Sequence, residues 1–67
     1  MLKYKIDVLA ALKAAGYNTT EIQSRGLIGQ SSMHKIKNGV MVGNIVIDRI
    51  CELTGLQPGD IIEYVED

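Results

Sequence analysis

His34, Cys51 and the Asp60/Glu63 pair are the side chains best equipped for acid–base, nucleophilic or metal chemistry in this 67-residue chain. An imidazole serves as a base or ligand when a carboxylate or thiolate orients it. His34 has no Asp, Glu or Cys at the helical spacings of three or four, so it reads as an exposed histidine. Cys51 falls on an apolar stripe with Ile47, Ile50 and Thr54 and reads as a small core residue, not a thiol sensor or nucleophile. Because it is the single cysteine, it excludes an intrachain disulfide and a four-cysteine zinc site. Asp60 and Glu63 are three apart, but acid chemistry needs a desolvating cleft that so short a chain does not provide. Helix-dipole and surface roles fit them better. The glycines follow helix ends and form neither GxGxxG nor a phosphate loop. Met33 reads as core. No enzyme, cofactor or metal is expected.

A different chemistry lies between Thr19 and Asn38. Gln30, Ser31 and Lys35 can hydrogen-bond base edges exposed in the major groove of duplex DNA. Thr19, Arg25, Lys37, Asn38 and main-chain N–H groups can donate to phosphates. For these groups to act together, one short helix must brace a second whose free face is polar. Ile22 against Met33 and Ile36 supplies that brace.

Hydrophobic periodicity places the elements around these groups. A first helix is predicted over Ile6–Ala15, with Val8, Leu9, Leu12 and Ala15 on one face and Gly16 as its stop. Asn18 and Glu21 have the spacing of a capping box, opening a second helix from Thr19 to about Arg25 that Gly26 interrupts. A third runs from about Gln30 to Lys37 and closes at Asn38-Gly39. The loop from Val40 to Gly43 is unusually apolar for a surface turn. Asn44 is expected to cap a fourth helix, Ile45–Thr54, ended by Gly55, and Pro58 opens a single-turn fifth helix to about Ile62. Leu2, Tyr4 and Ile6, and again Ile62 and Tyr64, alternate with polar residues like short strands. They are expected to pair antiparallel, within one chain or between two, the alternative being two frayed tails. Ile22, Met33, Ile36, Ile47, Ile50 and Ile61 form the expected core.

Composition is that of an ordinary globular protein, 46% hydrophobic and 22% charged. One domain over residues 1–67 is expected. No apolar stretch is long enough to cross a membrane, and no signal-peptide pattern opens the chain. A reduced, cytoplasmic setting follows. The net charge of −1 is unevenly spread. Residues 1–49 hold all seven basic residues against Asp7, Glu21 and Asp48, a balance of +4, while the rest hold five acids and no base. A basic and an acidic face can result.

The stretch from Asn18 to Asn38-Gly39, followed by Ile47 to Leu56, resembles the Cro-type, lambda-repressor-like helix-turn-helix family, also known as the xenobiotic-response-element family. The ends around Lys3–Asp7 and Pro58–Tyr64 are similar to its compact bacterial and phage branch. The spacing that carries the resemblance is Gly16, Asn18, Ile22, Ile28, Met33, Ile36, Asn38-Gly39, Ile50, Gly55 and Leu56. The chain departs from the family pattern at Gln23, usually Ala, at Leu27, usually Gly, and at Gly29, usually Ser or Thr. The resemblance implies an all-α, five-helix domain whose third helix turns Gln30, Ser31 and Lys35 toward the groove. It adds His34 as a secondary base contact and makes Thr19 and Asn38 phosphate contacts. It implies a homodimer on a two-fold operator, acting as a repressor without a small-molecule effector. The competing expectation is a protein-interaction module of the same fold, such as an antitoxin or adaptor, which the charge of −1 and the two bases on the third helix keep open.

Overall fold

A computed structural model describes residues 1–66. Five helices surround one core, and a two-stranded ribbon joins the two ends of the chain. In order, the elements are β1 (Leu2–Tyr4), α1 (Val8–Ala14), α2 (Thr19–Arg25), α3 (Gln30–Lys37), α4 (Asn44–Thr54), α5 (Pro58–Ile61) and β2 (Ile62–Tyr64). Val8, Leu12, Ile22, Ile28, Met33, Ile36, Ile47, Ile50 and Ile61 are buried in a single cluster. All six expected core residues belong to it. Val8 and Leu12 come from the apolar face assigned to the first helix, but Ala15 on that face is exposed.

The expected antiparallel ladder forms within the chain, with Leu2 opposite Tyr64, Lys3 opposite Glu63 and Tyr4 opposite Ile62. Lys5 N–H donates to Ile61 O at 2.8 Å, which ties the residue after β1 to the end of α5, and the chain bends at Lys5 and Ile6. That bond explains why α1 starts at Val8 and not at Ile6. Asp7 becomes its cap, with Oδ1 accepting from Ala10 N–H at 3.1 Å. At the far end Ile62 joins β2 and no longer belongs to the fifth helix.

At α2, Asn18 Oδ1 accepts from Glu21 N–H at 2.7 Å, as a capping residue should. The capping box closes in this direction only, because the Glu21 carboxylate turns to Arg25 instead, 3.2 Å away. Asn18→Ala should lower stability by about 1 kcal/mol, read as a shift in the urea midpoint with unchanged slope. A shift below about 0.3 kcal/mol would mean that water replaces this cap.

Asn44 is not the cap expected for the fourth helix. Gly43 is the last extended residue, and its carbonyl accepts from Val46 and Ile47 N–H at 3.1 Å each. Met41 and Val42 fold against the core, which moves the turning point one residue forward and makes Asn44 the first helical residue.

Candidate nucleic-acid interface

The approach to α3 and its exit are both fixed by left-handed glycines. Gly26 (φ 64°) ends α2 with Leu27 N–H donating to Ile22 O at 3.0 Å and Gly26 N–H to Gln23 O at 3.2 Å. Gly39 (φ 74°) repeats the motif after α3, with Val40 N–H donating to Lys35 O at 2.8 Å and Gly39 N–H to Ile36 O at 3.1 Å. These are Schellman motifs, in which only a residue without a Cβ reverses the chain freely. Three residues, Leu27 to Gly29, then separate Gly26 from α3, with Ile28 buried and Leu27 packed on the core. This turn begins with glycine one residue earlier than the family pattern, and Ile28 is what holds it.

Met33 and Ile36 point α3 into the core. The opposite side carries Ser31, His34, Lys35 and Asn38 at i, i+3, i+4 and i+7, one exposed stripe along the helix. Gln30 and Lys37 are also exposed, on its flank nearest Met33. The structure therefore brings three of the four expected base-contact residues, Ser31, His34 and Lys35, onto one stripe and leaves Gln30 beside it on the flank.

Gly29 caps α3 without a side chain, which leaves the first-turn N–H groups free of side-chain partners. Those groups concentrate partial positive charge beside Gln30 and Ser31. Lys35 and Lys37 lie in the last turn and form no ion pair among the described residues.

The flanking residues are more engaged than their sequence suggests. Arg25 is paired with Glu21 at 3.2 Å and stands 6.0 Å from the centre of the Tyr17 ring. Asn38 Nδ2 donates to His34 O at 2.9 Å and lies 3.1 Å from His34 Nε2, so this amide closes the helix end and steadies the imidazole. Thr19 is exposed at the first position of α2, where its own N–H has no intrahelical partner. Lys13, not singled out by sequence, lines one cleft with Asn18, Thr19 and Thr20. Only the packing of α1 against the start of α2 reveals that neighbour.

The groups with enzymatic potential stay apart. Among the described residues no three His, Cys, Asp or Glu gather to hold a metal ion. Burial pushes the Cys51 thiol up, and nearby Asp48 adds to the shift, which keeps it in its weakly nucleophilic protonated form. Asp60 accepts from Gln57 N–H at 3.0 Å, a capping duty at α5. No helix among the described residues is long and apolar enough to cross a membrane.

Two short helices, a buried turn and an exposed polar second helix define a helix-turn-helix DNA-binding domain. A family model for the Cro/C1-type HTH DNA-binding domain matches residues 5–67. The chain belongs to that family and is a DNA-binding regulator. No curated protein and no solved structure matches it.

Proposed function

We propose that residues 1–67 act as one domain that represses transcription by placing α3 in the major groove of a specific duplex site, as a homodimer on a two-fold operator. The observation that carries this proposal is the exposed stripe of α3, polar along its length and backed by buried Met33 and Ile36. Gln30, Ser31 and Lys35 read base edges there, with His34 as a secondary contact. Thr19, Lys37 and Asn38 hold phosphates, and Lys13 adds charge beside Thr19. Arg25 contributes less because Glu21 already neutralises part of its charge. Asn38 serves phosphate through whatever donor capacity its bond to His34 leaves.

The test is a gel shift against genomic fragments, followed by titration of a bound fragment at several salt concentrations. About four phosphate contacts per dimer predict a log–log salt slope near −4, so a fourfold rise in salt should weaken binding by roughly two orders of magnitude. Salt-independent binding would contradict duplex recognition by this face. No shift at low salt would favour the interaction module, an antitoxin or adaptor, which the −1 net charge supports.

A further inference from the structure

We infer that Asn38 positions His34 to read one kind of base edge. By holding Nε2 of the imidazole as an acceptor, it leaves Nδ1–H as the one polar group this ring offers to DNA, a donor that selects guanine. The inference rests on the DNA-reading role proposed for α3, and it makes a secondary contact a determinant of specificity.

Asn38 Nδ2 lies 2.9 Å from His34 O and 3.1 Å from His34 Nε2. A peptide carbonyl only accepts, so the amide atom that meets it must be the nitrogen and not Oδ1. That first bond fixes which way round the amide stands. An amide nitrogen has two hydrogens to give and no lone pair to offer, so its second contact is a donation as well. Nε2 therefore accepts, and the hydrogen of the neutral imidazole sits on Nδ1.

The backbone beneath the amide is already fixed. Asn38 N–H donates to His34 O at 3.1 Å and to Lys35 O at 3.2 Å, and the left-handed turn at Gly39 follows at once. Holding the imidazole therefore costs the freedom of two side chains and none of the main chain. With both amide hydrogens directed at His34, little donor capacity is left for phosphate. The bond to Asn38 is the one side-chain hydrogen bond of the imidazole among the described residues, which leaves Nδ1 open. His34 lies within the exposed stripe, with Ser31 one turn before it and Asn38 one turn after it.

In the major groove a lone donor discriminates. Guanine presents two neighbouring acceptors, N7 and O6, whereas adenine sets an amino donor beside its N7 and cytosine presents only an amino donor. Thymine has a single acceptor, O4, beside its methyl group. A neutral Nδ1–H thus ranks guanine first and rejects cytosine. Lys35, the next residue, is also a donor, but its ammonium rotates freely and takes phosphate as readily as a base. The neutral ring donates without a charge, so it contributes choice among bases and not salt-dependent affinity.

Long-range nitrogen–proton NMR spectra of the whole chain, recorded above the ordinary imidazole titration range, read the tautomer directly. The free wild type should show Nε2 bare and Nδ1 protonated. In Asn38→Ala the ring should revert to the arrangement that imidazoles favour in water, with the hydrogen on Nε2. Asn38 is exposed and its φ of −95° is open to alanine. On duplexes selected by the wild type from a random pool, Asn38→Ala should lose about fivefold of the preference for guanine at one position, the low end of what one base contact is worth. In a His34→Ala background the same substitution should alter no preference, because the ring it serves is gone. A wild type with the hydrogen on Nε2 overturns the inference, and this spectrum decides the matter if Asn38→Ala fails to fold. A tautomer unmoved by Asn38→Ala also overturns it, as does a tautomer that changes while the base preference stays. A loss from Asn38→Ala that is equal on every sequence and persists without His34 overturns it too, and makes Asn38 a phosphate contact only. The expected tautomers in a wild type that binds all duplexes alike support the positioning by Asn38 and overturn the reading role of α3 instead.

Discussion

Replacing Ile50 by alanine should cost about 2–5 kcal/mol of folding stability, the range for truncating a large aliphatic side chain in a packed core. Ile50 is fully buried in the middle of α4 and belongs to the cluster that α1, α3 and α5 also enter. Deleting most of its side chain leaves a void that four helices would have to collapse together to fill. A chain of this length has a total stability of roughly 3–10 kcal/mol at typical values per residue, so the loss is comparable with the whole. The melting temperature should drop by at least about 10 °C for a domain this small. Ile45→Ala on the same helix is the control, because its 80% exposure puts the expected change in the free monomer within about 0.5 kcal/mol. Both belong at one low protein concentration, since association shifts apparent stability. Ile50→Ala melting within two or three degrees of wild type would mean that α4 turns another face to the core.

The second large effect separates reading from holding. Gln30 is exposed at the first position of α3, beside a glycine that offers no side chain to compete with it. Its amide can pair with both the N6 and N7 edge groups of adenine, an interaction that distinguishes one base pair from the others. Gln30→Ala should cost about 1–3 kcal/mol on the preferred duplex and relax preference at one position. Lys37 ends the helix and has no ion-pair partner among the described residues. Lys37→Ala should weaken preferred and random duplex alike and reduce the magnitude of the salt slope by about 0.9 for each phosphate that is no longer neutralised. Both side chains are exposed, so the variants should melt within about a degree or two of wild type, apart from the few tenths of a kcal/mol that Lys37 contributes at a helix C-terminus. Equal losses on every sequence from both variants would show that α3 does not read bases.

The sequence by itself determined what neighbouring residues settle among themselves. The bounds of α2 and α3 follow from Asn18, Gly26 and Gly39, because caps and left-handed glycines act over one turn of chain. The five expected core isoleucines and Met33 follow from helical spacing, and the strand character of the two ends follows from their alternation. Tertiary structure decided the rest, wherever two local solutions competed. Ile6 has the period of α1, yet Lys5 N–H bonds to Ile61 O, more than fifty residues away, and the chain bends at Lys5 and Ile6 before α1 begins. Asn44 is a better capping type than Gly43, but the packing of Met41 and Val42 sets the turning point. Glu21 could have completed a capping box and instead meets Arg25. That the ribbon closes one chain was equally beyond local reach. Tyr4 and Ile62 pack on the shared core, and that burial offsets a loop-closure cost that grows only slowly with chain length. The same closure carries Leu2 and Ile62 to the apolar loop after α3, a juxtaposition that no local rule contains.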